Sequence, residues 1–101
     1  MSRYTIRTES GHLLAYGWDR PLKEYFVQLL KTDEMMDKEE AETGKLARPE
    51  VFWIGNRTTI TPLEGDEMNK RYTNEEIAEV LSRYEGVPED HIELVRRGVP
   101  I

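Results

Sequence analysis

The chain has 101 residues, no cysteine and a formal charge of −6. That length predicts one domain over 1–101. The missing cysteines exclude disulfides, thiolate zinc sites and cysteine nucleophiles, and the acidity of most of the surface argues against direct contact with a phosphate backbone.

Leu, Ile, Val and Phe total 23 residues, enough for one modest core beside a highly charged remainder. The charge is uneven: residues 1–32 carry net +2, whereas 33–50 and 51–101 each carry −4. The N-terminus shows no apolar signal region, and the longest apolar run, around Leu13 to Trp18, is far short of the roughly 20 residues of a membrane helix. A cytoplasmic protein without membrane attachment is expected.

Tyr4 to Thr8 alternates and reads as a strand. Glu9-Ser10-Gly11 follows, with glycine where a three-residue hairpin loop needs a positive φ. His12 to Trp18 reads as the returning strand, in which Gly17 marks a bulge or a close backbone approach. Pro21 ends the pairing because it lacks an N–H. Lys23 to Lys31 would suit a helix through Phe26, Leu29 and Leu30, but Tyr-Phe-Val favours a strand with Tyr25, Val27 and Leu29 on one face.

Residues 32–49 form a charged insert, either mobile or a short helix laid on the surface; Met35 and Met36 are too few to bury a helical face. Val51 to Ile54 is the strongest short strand. Gly55-Asn56 fits a two-residue hairpin turn, and Arg57 to Thr61 would return as a polar edge strand closed by Pro62. Leu63 to Tyr72 reads as a charged connection.

Thr73-Asn74-Glu75-Glu76 is a capping box, followed by Ile77, Val80, Leu81 and Tyr84 at helical spacing. Gly86 fits the position after the helix end, with Val87 folding back on Leu81, and Pro88 fits the first position of a second helix. In that helix Ile92 and Val95 make the buried stripe, Glu89, Asp90, Arg96 and Arg97 suit the dipole, and Gly98 ends it. The expectation is an α+β fold: an antiparallel sheet of about five strands with two short C-terminal helices on one face.

No chemical motif emerges. His12 and His91 are the only histidines, and His91 with Glu93 does not share a helix face, so no metal site is expected. Ser10, His12 and Asp19 are the only triad candidates, and Ser10 is better explained as a turn residue. The run from Asp33 fails as a calcium loop, with Lys38 where glycine belongs and Gly44 where glutamate belongs. No glycine motif for nucleotides is present, so no cofactor is expected. A helix-turn-helix reading of the last two helices would present Glu89 and Asp90 to DNA.

Tyr4 to Phe26, with its Ala-Tyr-Gly-Trp-Asp-Arg-Pro-Leu-Lys-Glu-Tyr-Phe run, resembles the front half of a class of small uncharacterised bacterial proteins in which a Phe-Trp-Ile-Gly strand follows, here Phe52 to Gly55. The resemblance covers roughly half the chain. It implies a bacterial or mobile-element origin and no particular activity.

The remaining signal is aromatic. Tyr16 and Trp18 share a strand face with Leu14, and helices can cover a sheet only once, so some rings must lie on an uncovered face or in the core. Aromatic rings beside arginine suit a protein interface. The leading expectation is therefore a non-enzymatic regulatory module that binds a protein through Tyr16, Trp18, Arg20, Lys23 and Trp53. Glu34, Asp37, Glu39, Glu40 and Glu42 would supply an acidic surface for steering. Two alternatives stand beside it: an acidic mimic of nucleic acid that inhibits a DNA- or RNA-binding protein, and a small-molecule binder or minor enzyme. Burial of Tyr16 and Trp18 would shift weight to the acidic surface.

Overall fold

Four strands pair in sequence order in the computed structural model, which describes residues 2–101. They are β1 (Tyr4–Arg7), β2 (Leu13–Asp19), β3 (Glu24–Leu30) and β4 (Glu50–Gly55), and every pairing is antiparallel. Helix α1 (Asp33–Thr43) lies between β3 and β4, and α2 (Asn74–Ser82) and α3 (Glu89–Arg96) follow the sheet. The architecture is α+β with one open sheet.

The β1–β2 hairpin forms as its loop chemistry dictates. Gly11 sits at φ 87° and donates to the Thr8 carbonyl, while Thr8 N–H bonds the His12 carbonyl at 2.9 Å. Gly17 marks a close approach and no bulge. The register runs through it unbroken, and a methyl group there would stand 2.1 Å from the Ser2 carbonyl oxygen.

Period-two alternation then decides what is buried. Leu14 and Tyr16 of β2, Tyr25, Val27 and Leu29 of β3, and Phe52 and Ile54 of β4 face the C-terminal helices. Ile77, Ala78, Val80 and Leu81 of α2 and Ile92 and Val95 of α3 meet them. Thr73 closes the capping box with Glu76 in both directions. Helix α2 ends at Ser82 with Arg83 as its C-cap, three residues before the expected glycine stop; Gly86 belongs to the turn that follows, pressed against Ile6. Pro88 is the N-cap of α3 and not its first residue. The end of α3 is the Schellman close, with Gly98 N–H on Val95 and Val99 N–H on Leu94.

Two expectations need correction. The strand expected at Arg57 to Thr61 is a single bridge between Trp53 and Thr61, leaving four strands. Asn56 explains the loss. Its side-chain carbonyl accepts from Tyr25 N–H at 2.8 Å and its amide donates to the Tyr72 carbonyl at 2.8 Å, so the tight turn is lost and the chain returns to the β4 edge only at Ile60 and Thr61, opposite Trp53. Tyr72, absent from the expected core, is 2% exposed, and its hydroxyl bonds Asp66.

Second, the 32–49 insert contains a helix, giving three. Thr32 caps it by accepting from Met35 N–H, Asp33 and Glu34 occupy its positive end, and Gly44 closes it at φ 70°. None of its residues is buried, so local capping and good helix formers hold it, with little tertiary packing.

Candidate functional site

The face of the sheet opposite α2 and α3 carries no helix. Phe26 and Gln28 are nevertheless buried there, as is Ala15. Their cover is thin. The Arg3 guanidinium sits 5.8 Å above the Phe26 ring and donates to Gln28 Oε1 at 3.1 Å. On the other side the 57–60 loop is drawn down by Glu24, a residue 3% exposed whose carboxylate accepts from Thr58 Oγ1 at 3.2 Å and from the Arg57 and Thr58 N–H groups. Between these supports lies a cleft of about 160 Å³, lined by Arg3, Leu22, Phe26, Trp53 and Ile60 among others. Leu22 is 48% exposed and Ile60 42%, and Trp53 lies half-buried between the polar and apolar walls.

The residues singled out in the sequence are divided by the fold. Trp53 belongs to this face. Trp18 lies on the other one, half-buried, with its ring edge-on to Tyr25 at 4.8 Å. Trp18 and Lys23 line a separate groove of about 520 Å³ with Arg57 and Asn74. Lys23 is exposed at φ 51°, and Arg20 is exposed in the same β2–β3 connection. Tyr16 is 1% exposed and belongs to the core, so its ring is out of a partner's reach. Its hydroxyl bonds His91 Nδ1 at 2.7 Å, and Tyr4 stacks on both rings. Burial first, then the neighbouring Tyr4 and Asp90, pushes the Tyr16 phenol up to about 12. At neutral pH it stays protonated.

The acidic residues are dispersed over α1. Glu34, Asp37 and Glu42 are exposed, Glu39 pairs with Lys31 at 2.9 Å, and Glu40 accepts from Ala47 N–H at 2.9 Å. Two of the five are therefore engaged in holding the helix to its neighbours.

Ser10 Oγ reaches His12 Nδ1 at 2.6 Å and Thr8 Oγ1 at 2.9 Å, forming a chain across the hairpin loop. Asp19 lies at the far end of β2, about 20 Å away at the rise of a strand. Among the described residues no three His, Cys, Asp or Glu side chains gather as a metal site would require.

Sequence reasoning missed Arg3, Leu22, Phe26, Gln28 and Ile60 as companions of Trp53. A signal existed for two of them: Phe26 and Gln28 alternate with Tyr25 and Val27, so one set had to face away from the helices. Leu22 and Ile60 sit in irregular segments, where no periodicity assigns a face. No helix is long and apolar enough to cross a membrane among the described residues. Comparison with protein-family models, with curated proteins and with solved structures finds no match to this chain.

Proposed function

We propose that this chain is a non-enzymatic protein-binding module whose contact surface is the helix-free face of the sheet around Trp53. The observation that carries this reading is the exposure of Leu22 and Ile60, at 48% and 42%, on the side where Trp53 and Arg3 also lie. Tryptophan and arginine ringed by apolar groups are the composition of an interface centre. Trp18 and Lys23, on the other face, are outside this surface. Small-molecule binding in this cleft is less well supported, because its volume of about 160 Å³ is below the roughly 300–1,000 Å³ of typical ligand pockets.

A second reading rests on α1. A helix without a buried residue that displays Glu34, Asp37 and Glu42 to solvent suits an acidic mimic of nucleic acid. Affinity capture from a bacterial lysate, with wild type, Trp53→Ala and a triple Glu34, Asp37 and Glu42 to Gln variant, separates the two. The sheet-face reading expects capture that survives high salt and is lost with Trp53→Ala alone. Capture abolished by salt and by the Gln variant, with Trp53→Ala unaffected, would replace it with the mimic.

A further inference from the structure

The two edges of the sheet are treated differently. At the β4 edge Trp53 N–H bonds the Thr61 carbonyl at 2.8 Å, Ile60 and Thr61 donate back to the Trp53 carbonyl, and Tyr72 N–H bonds the Gly55 carbonyl at 3.1 Å. At β1 there is no such cover. Ser2 N–H bonds the Trp18 carbonyl and Thr8 N–H the His12 carbonyl, and the register between these points is unbroken. Antiparallel alternation therefore turns the backbone groups of Tyr4 and Ile6 toward β2 and those of Thr5 and Arg7 outward. Among the described residues no hydrogen bond reaches the N–H or C=O of Thr5 or Arg7.

The side chains flanking this edge are as distinct as its backbone. Arg3, Thr5 and Arg7 are exposed on the helix-free face, and their β2 neighbours Leu13, Ala15 and Gly17 bring no carboxylate there. On the other side Ile6 borders a groove of about 510 Å³ whose far wall is the Arg83–Gly86 turn, with Tyr84 half-buried in it. Glu9 and Glu85 line that groove together with Arg7 and Arg83, so its charges balance, and Ile6 and Tyr84 supply the apolar contact for an apolar side chain.

We propose that β1 receives an extended segment of another protein as a fifth, antiparallel strand. This segment carries a carboxylate opposite Arg7 and an apolar side chain opposite Ile6. Main-chain bonds to Thr5 and Arg7 would supply affinity, and the alternate side chains selectivity. A second carboxylate, four residues on, falls opposite Arg3. A second copy of this chain fits worse: β1 paired with β1 about Thr5 sets Arg3 against Arg7 twice, and like charges directly opposite are destabilising. The edge adjoins the Trp53 face at Arg3, but its contacts at Thr5, Ile6 and Arg7 lie outside the Trp53 cleft, so the proposal does not depend on that reading.

The test uses the full chain and a labelled synthetic peptide, Ser-Glu-Ile-Thr-Val-Glu-Ser, read by fluorescence anisotropy and by amide NMR shifts. The expected result is saturable binding with the largest shifts at Thr5, Arg7 and Tyr84, weakened about fivefold by Arg7→Glu. Circular dichroism and melting of Arg7→Glu should match wild type, since the residue is exposed. A peptide N-methylated at its central Thr should not bind, because it lacks the N–H offered to Thr5, and Trp53→Ala should bind the parent peptide normally. Equal binding of the N-methylated peptide, shifts centred on Trp53, or no binding at millimolar peptide would overturn the proposal. So would a β1-mediated dimer in sedimentation that the peptide cannot compete away.

Discussion

Removing one hydroxyl, by Tyr16→Phe, should change how this protein responds to alkali far more than how it behaves at neutral pH. At pH 7 the variant loses one hydrogen bond, to His91 Nδ1 at 2.7 Å. Such a bond is worth about 1 kcal/mol, and the half-buried His91 can recover part of it from water. The alkaline effect is larger. The Tyr16 phenol lies at about 12 in the folded state against an ordinary 10, with burial as the main cause. Below pH 10 the phenol is neutral in both states and the stabilising difference is fully present. As pH rises past 10 the unfolded chain ionises first and is favoured, and the loss continues until the folded phenol also ionises near 12. At 1.36 kcal/mol per pKa unit this amounts to about 3 kcal/mol, a large share of a stability of about 5–15 kcal/mol. The assay is urea unfolding of both proteins at intervals from pH 8 to 12. Groups other than Tyr16 titrate alike in both and cancel in the difference. The gap between the two stability curves should close and then invert as pH rises. Curves that stay parallel over this range would refute the account of Tyr16 as a desolvated, hydrogen-bonded core phenol.

Gly17→Ala should cost about 2 kcal/mol in thermal or chemical unfolding, because the new methyl would meet the Ser2 carbonyl backbone at 2.1 Å; an unchanged melting temperature would show that the N-terminal segment moves freely aside. Leu14→Ala, at a fully buried position, should cost about 2–5 kcal/mol, whereas Leu22→Ala, half exposed, should change stability little, and equal losses would contradict the assignment of the two residues to core and surface. Glu24→Gln should leave the fold intact but speed hydrogen exchange at Arg57 and Thr58, whose N–H groups the carboxylate accepts; unaltered exchange would mean that the loop is held by other contacts. Amides of α1 should exchange faster than those of α2, since α1 buries no residue and isolated helices of this length are marginal. Slow exchange there would reveal packing that the structure does not show.

What the sequence determined by itself is the local chemistry. Gly11 specified the first hairpin, Thr73 with Glu76 the start of α2, and Gly98 the end of α3, because each acts through bonds to residues only a few positions away. Alternation also sorted Leu14, Tyr16, Tyr25, Val27 and Leu29 onto one face. Only the tertiary structure decided the rest. Asn56 carried a good turn signal, yet its side chain bonds Tyr25 and Tyr72, residues 31 and 16 positions away, and this removed the fifth strand. Tyr16 and Trp53 looked alike as aromatic strand residues. One is sealed by His91 from α3, and the other stands on a face that no helix reaches. Which face the helices choose is a long-range packing outcome. Strand register put Trp18 and Trp53 on opposite faces and strand order put β1 at an edge, and the helices' choice of face then determined which surfaces a partner can reach.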